Sequence, residues 1–148
     1  MTIEDLITVL SSRSLFSIRA LSGDSKLFRG HGIVKVSKPD RRTVIFDEHG
    51  VWTSPARLEV AFRNVYRWSL HCEARTCGLD HLRHGWNRSV HLVDFVAVAP
   101  DAWQCTAPHS CGSDIYSARM HNSDRGLELS WRIQGPSKDQ EIECLYAP

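Results

Sequence analysis

The sequence lacks any long hydrophobic run, since no stretch approaches the roughly 20 apolar residues that a membrane-spanning helix needs. It also lacks a charge bias, because 18 Lys and Arg face 17 Asp and Glu, for a formal net charge of +1. Proteins that bind mainly to nucleic acid phosphates or to an anionic membrane need a basic excess. We therefore expect neither nucleic acid nor membrane as a partner.

Phosphate-binding loops and signal-peptide features are missing as well. Gly30 and Gly32 are followed by strand-like residues, without the third glycine or the helix of a nucleotide-binding loop. The first residues include Glu4 and Asp5, where a secretory signal peptide would carry basic residues. We expect a cytoplasmic protein, in which a reducing compartment would keep the five cysteines as thiols.

The residues that are present suit one globular domain over residues 1–148. Their 42% hydrophobic and 24% charged fractions are ordinary for such a domain. Within residues 1–13, helical spacing of Ile3, Leu6, Ile7 and Leu10 predicts a short helix. Thr2 is its expected N-cap, and Asp5 is placed to complete a capping box.

From residue 14 onward the hydrophobic period is two, which predicts strands. Residues 127–134 alternate cleanly, with Trp131 on the apolar face. Residues 58–71 alternate in the same way, with Tyr66 and Trp68 on the apolar face. Only Asn64 interrupts that face, and we interpret it as a turn or bulge between two shorter strands, because strands usually span about 3 to 10 residues.

Weaker alternating runs bring the total to about ten strands joined by short, turn-rich connections. Such connections favour antiparallel neighbours. Closing the sheet is the simplest way to hide its edges, so we predict an all-β fold, a single closed antiparallel up-and-down β-barrel over residues 14–148. A β-sandwich is the runner-up. The sequence is compatible with a monomer or a homodimer.

Two polar clusters are candidates for a site. The first holds His109, Cys111, Asp114 and Tyr116, where a loop turns into a strand. If that strand begins at Asp114, the side chains of Asp114 and Tyr116 share one face, with His109 at its rim. In the second cluster Lys138 follows a Gly-Pro turn, from which it could reach an anionic group at the barrel mouth.

Histidines and cysteines are numerous, but their spacings match no known metal-binding module. Cys72 and Cys77 are further apart than paired cysteine ligands, as are Cys105 and Cys111. We therefore predict no metal and no cofactor. The pattern by itself leaves open whether any Cys or His binds metal or haem.

Five segments occur in an order that resembles a known family. They are FRGHGIVKV (28–36), IFDEHGVW (45–52), YRWSL (66–70), HSCGSDIY (109–116) and LSWRIQGPSKDQEIECLYAP (129–148). This order resembles the domain of unknown function family 6314, whose specific segments are H-x-C-x-x-D-x-Y and W-x-V-x-G-P-x-K-D. The residues that match these two segments are His109, Cys111, Asp114, Tyr116, Trp131, Gly135, Pro136, Lys138 and Asp139. The resemblance implies a small cytosolic barrel, lipocalin-like or calycin-like, and no assigned activity.

The leading functional hypothesis is a binding protein that takes a small, partly apolar ligand inside the barrel. We expect aromatic walls from Tyr66, Trp68 and Trp131, and polar anchors from His109, Asp114, Tyr116 and Lys138. The alternative is a small enzyme in which His109, Asp114 and Tyr116 perform acid–base chemistry. The third hypothesis is an interaction domain whose core is filled by its own side chains.

Overall fold

Almost all of the chain after one short helix is β-strand in the computed structural model, which describes residues 2–148. The helix α1 spans Ile3–Ser11. The strands are β1 Leu15–Ser22, β2 Leu27–Asp40, β3 Thr43–Thr53, β4 Glu59–His71, β5 Thr76–His81, β6 Val90–Ala99, β7 Ala102–Cys105, β8 His109–Cys111, β9 Asp114–Ser123, β10 Gly126–Gln134 and β11 Asp139–Ala147.

The strands close into one antiparallel ring. Each strand from β1 to β6 pairs with the next, β7 pairs with β9, and β9, β10 and β11 pair in turn. The ring closes where β11 pairs with β1 along its whole length, from Leu15 opposite Ala147 to Ser22 opposite Gln140. The predicted closed up-and-down barrel of about ten strands is confirmed, because ten strands form this ring.

The eleventh strand, β8, lies beside β9 in line with β7. β7 pairs with the later part of β9, where Ala102 lies opposite His121, whereas β8 pairs with its start, where Cys111 lies opposite Asp114. β7 and β8 are therefore one interrupted strand. Within residues 2–148, β8 has no strand partner on its other side, so the first half of β6 is unpaired on the side that faces β8.

Helix α1 closes one end of the barrel. Its capping box is formed as predicted, because the Thr2 hydroxyl accepts a hydrogen bond from the Asp5 N–H and the Asp5 carboxylate accepts one from the Thr2 N–H. The four apolar residues of the predicted face, Ile3, Leu6, Ile7 and Leu10, are all buried in the main core. α1 packs against β2 and β3, which places it over the end where β1 begins.

The opposite end is open and is called the mouth here. The connections between β1 and β2, β3 and β4, β5 and β6, and β10 and β11 all lie at this end, away from α1. The connection from β5 to β6 is the longest of these and includes a 3-10 turn over Trp86–Arg88. The barrel therefore resembles a cup whose base is the helix.

Strand β4 runs without a break through Asn64, which pairs with Glu48 on β3. The expected turn or bulge at Asn64 is therefore absent from this strand. Asn64 instead shares the inward face with Tyr66 and Trp68, where its amide is a polar group of the barrel interior. The alternation predicted for residues 127–134 is confirmed, since Leu127, Leu129 and Ile133 are buried.

Two facing glycines allow β2 and β3 to bend closely around the interior. Gly32 pairs with Gly50, and a Cβ on Gly32 would lie 2.1 Å from the His49 carbonyl oxygen. A Cβ on Gly50 would lie 2.8 Å from the ring of Phe16 and equally close to the ring of Phe62. These rings fill the space that side chains would otherwise take.

We predict that the helical base contributes strongly to stability. Leu10→Ala should lower the free energy of unfolding by about 2–5 kcal/mol, because the substitution leaves a cavity where the fully buried Leu10 side chain packs. Thr8→Ala is the matched control, since Thr8 is exposed on the same helix. Urea denaturation followed by circular dichroism measures both. Equal stability of the two variants would show that α1 does not hold the base closed.

Candidate functional site

A cavity of about 490 Å³ lies inside the barrel and extends toward the mouth. Its lower wall is apolar and aromatic, with Trp68, Leu79, Leu129 and Tyr146 among its residues. Nearer the mouth it is lined by Trp52, Arg83, His84, Val90, Leu92, His109 and Cys111. The lining comes from both halves of the ring, as expected for the interior of a barrel that its own side chains do not fill.

Glu48 is the acidic group of this cavity. It follows Val44 and Phe46 on the inward face of β3, and only 4% of its surface is exposed. The Tyr146 hydroxyl donates a 2.6 Å hydrogen bond to its Oε2. Burial raises the pKa of the Glu48 carboxyl to about 7, and this hydrogen bond from Tyr146 opposes the rise only in part. Glu48 is therefore poised to change its charge near neutral pH.

The groups around Glu48 remain neutral. Burial raises the pKa of the Tyr66 hydroxyl and of the Cys144 thiol, and the nearby Glu48 carboxylate adds to both rises. The pKa of Tyr146 is also raised well above its ordinary value, mainly by burial. Tyr146 therefore donates its proton to the hydrogen bond with Glu48 rather than losing it.

Two buried N–H donors line the same cavity without a hydrogen-bond partner in the protein. Trp68 Nε1 and His81 Nε2 are both unpartnered among the described residues. His81 Nδ1 accepts a 2.7 Å hydrogen bond from the Arg83 backbone N–H, so the neutral ring carries its proton on Nε2. Burial lowers the pKa of His81, and the charges of Arg83 and His84 lower it further.

Five of the seven site residues proposed from the sequence lie on the cavity wall. They are Tyr66, Trp68, His109, Tyr116 and Trp131. Tyr66 packs edge-on against His81 at a ring distance of 5.1 Å, deep in the barrel. His109 and Tyr116 face each other across β8 and β9, 5.9 Å apart, nearer the mouth.

The other two proposed residues, Asp114 and Lys138, lie apart from the cavity lining. Lys138 Nζ lies 3.6 Å from Asp114 Oδ2, so each charge already has a partner. Gly135 makes room for this pair, since a Cβ there would collide with the Asp114 carboxylate. The Gly-Pro turn therefore leaves room for an ion pair between Lys138 and Asp114 at the rim.

Four residues around this site were not predicted from the sequence, namely Glu48, His81, Cys144 and Tyr146. Glu48 carried a usable signal, because it is the one acid in an alternating row of Val44, Phe46, Gly50 and Trp52. A lone carboxylate on an apolar strand face marks a buried charge. The other three gave no comparable signal, since their approach to Glu48 depends on how the ring closes.

The described residues offer no preformed metal site. Within residues 2–148, no group of three or more His, Cys, Asp or Glu side chains is arranged to hold a metal ion. All five cysteines are free thiols. No helix among the described residues is long and apolar enough to span a bilayer.

Glu48 should make folding stability depend on pH. Its pKa rises from 4.5 in the unfolded chain to about 7 in the folded protein. The contribution of Glu48 to stability is therefore fully present below pH 4.5 and is lost as the pH rises through 7. The loss amounts to about 3 kcal/mol. Glu48→Gln should remove this component, so the stability difference between wild type and variant should shift by that amount between acid and mildly basic pH.

Urea titrations across this pH range measure the difference. Glu73→Gln is the matched control, because Glu73 lies exposed in the turn between β4 and β5. A difference between wild type and Glu48→Gln that stays constant with pH would contradict the raised pKa of Glu48.

The sequence matches one known protein family. A family model described as Family of unknown function (DUF6314) matches residues 13–148, which include every strand of the barrel but not α1. No curated protein is significantly similar to the chain. The match covers most of the sequence, and the chain belongs to the family of unknown function DUF6314.

Proposed function

We propose that the protein binds a small, partly apolar ligand inside the barrel, in the manner of a lipocalin-like carrier, and that it does so in the cytoplasm. One observation carries the proposal. Two buried N–H donors, on Trp68 and His81, lack partners in the protein and line the same cavity as the buried Glu48 carboxyl. A cavity that combines apolar walls with a few converging polar groups is the usual form of a small-molecule site.

The energetics of these donors support a ligand with an acceptor oxygen. A buried N–H without a hydrogen-bond partner costs about 1–3 kcal/mol. A carbonyl or hydroxyl oxygen that accepts from Trp68 Nε1 or His81 Nε2 would recover part of that cost. The surrounding aromatic and aliphatic walls would bury the ligand's apolar part.

The size of the cavity favours a ligand-binding protein over an interaction domain with a filled core. Its volume of about 490 Å³ lies within the range of roughly 300–1,000 Å³ typical of ligand pockets. The open mouth gives a route of entry, while α1 blocks the other end. The partner we propose is therefore a small molecule rather than a protein surface.

Acid–base catalysis by His109, Asp114 and Tyr116 has weaker support. His109 and Tyr116 line the cavity, but Asp114 is paired with Lys138 outside it. Glu48 also lines the cavity, and its pKa of about 7 suits proton transfer near neutral pH. An enzymatic role would therefore centre on Glu48 rather than on the cluster proposed from the sequence.

Blocking the cavity should abolish ligand binding. N-phenylnaphthylamine, a neutral dye that fluoresces in apolar surroundings, should bind the wild-type protein. Ile142→Trp should weaken its binding at least about tenfold, because Ile142 lines the cavity and the larger ring would occupy it. Ile33→Trp is the matched control, since Ile33 is exposed on the outside of β2.

Fluorescence titration gives the affinities, and circular dichroism checks that both variants fold. Absence of dye binding to the wild type, or equal loss in both variants, would contradict a binding cavity. Native mass spectrometry of protein purified from its source would show a retained ligand directly.

Removing one donor should weaken a ligand that carries an oxygen acceptor. Trp68→Phe should reduce the affinity for benzylacetone, a small aromatic ketone, by about five- to tenfold, because one buried hydrogen bond is worth roughly 1 kcal/mol. Trp103→Phe is a close control, since Trp103 Nε1 is also buried and unpartnered but Trp103 does not line this cavity. Displacement of the dye measures both affinities. Equal effects of the two substitutions would contradict the role of Trp68.

A further inference from the structure

Unlike the acidic residues that form ion pairs in this protein, Glu48 has no cation beside it among the described residues. The ion pairs on the barrel surface include Asp47 with Arg63 at 2.9 Å and Glu141 with Arg132 at 3.1 Å. Among residues 2–148, Glu48 takes part in no ion pair, and its carboxylate accepts a hydrogen bond from the neutral Tyr146 hydroxyl. A buried carboxylate is normally paired, since an isolated charge in an apolar interior is costly.

The walls around this carboxyl are unusually aromatic. Six aromatic side chains line the cavity, namely Trp52, Tyr66, Trp68, Tyr116, Trp131 and Tyr146. The faces of such rings attract organic cations, most strongly where water is excluded. An aromatic cavity with one buried carboxylate therefore offers both components of an ammonium-binding site.

The other titratable groups that line the cavity leave this arrangement intact. They are Tyr66, His81, Arg83, His84, His109, Cys111, Tyr116, Cys144 and Tyr146. Glu48 is the one carboxylate among the lining residues. Tyr66, Cys144 and Tyr146 have raised pKa values and His81 a lowered one, so these four are neutral near pH 7. Arg83 and His84 are exposed at the mouth, where water screens their charge.

We propose that the ligand carries a protonated amine, which pairs with the ionised carboxylate of Glu48 and packs against the aromatic wall. This inference rests on the proposed function and specifies the ligand class of the same cavity. Trp68 and His81, on β4 and β5, then serve an oxygen acceptor elsewhere on the ligand, whereas Glu48 on β3 holds its cationic group.

Binding of such a ligand depends on pH in a defined direction. The carboxyl must lose its proton before it can pair with the ammonium group. Affinity for an amine therefore rises as the pH increases through about 7 and levels off above it. A neutral ligand that accepts a hydrogen bond from the protonated Glu48 carboxyl would show the opposite dependence.

Two probes of matched size, phenethylamine and phenethyl alcohol, test the inference by displacing the dye N-phenylnaphthylamine. Phenethylamine should bind more tightly than the alcohol at about pH 8.5 and lose about thirty-fold in affinity by about pH 5.5. Glu48→Gln should remove both the preference for the amine and its pH dependence. Glu73→Gln should keep both.

Tighter binding of the alcohol at about pH 8.5, or an amine preference that survives in Glu48→Gln, would overturn the inference. Displacement of the dye by benzylacetone in the same samples shows that the cavity itself still binds ligand. Should Glu48→Gln fail to fold, the wild-type protein still decides the question, because amine binding must lower the pKa of the Glu48 carboxyl, as followed by its NMR carbon shift.

Discussion

Closure of the sheet is the constraint on which the rest of the structure depends. When β11 pairs with β1, every long strand gains partners on both sides and the inward side chains are enclosed together. Closure also brings Tyr146 of β11 within 2.6 Å of Glu48 on β3, although the two residues are far apart in sequence. The buried polar cluster is therefore a product of the ring and has no counterpart in any single hairpin.

The two ends of the barrel differ, because helix α1 closes the base and no α-helix covers the mouth among residues 2–148. The base is sealed by the apolar face of α1, whose N-terminus is fixed by the Thr2 and Asp5 capping box. The mouth is bordered by longer connections and by exposed apolar residues such as Leu58, Val60 and Trp86. Polar groups lie between these ends on largely apolar walls, where their hydrogen bonds and charges have the greatest energetic effect.

The sequence predicted the architecture well because local patterns determine it. Period-two alternation identified the faces of β4 and β10, and the capping box identified α1. It predicted the site only in part. Parity placed Tyr66, Trp68 and Trp131 on apolar strand faces but left open which face lines the interior. Glu48 acquires its hydrogen bond from Tyr146 only when distant β11 closes the ring. Asp114 and Lys138 formed a specific motif, but they neutralise each other at the rim.

The interruption between β7 and β8 changes how the barrel wall is built on one side of the cavity. Among the described residues, no ladder of backbone hydrogen bonds joins the first half of β6 to β8, although Val90 and Leu92 on one side and His109 and Cys111 on the other all line the cavity. Here the barrel wall beside the mouth is formed by strands whose backbones are not paired with each other, unlike the wall at β1 and β11, where continuous backbone pairing closes the ring.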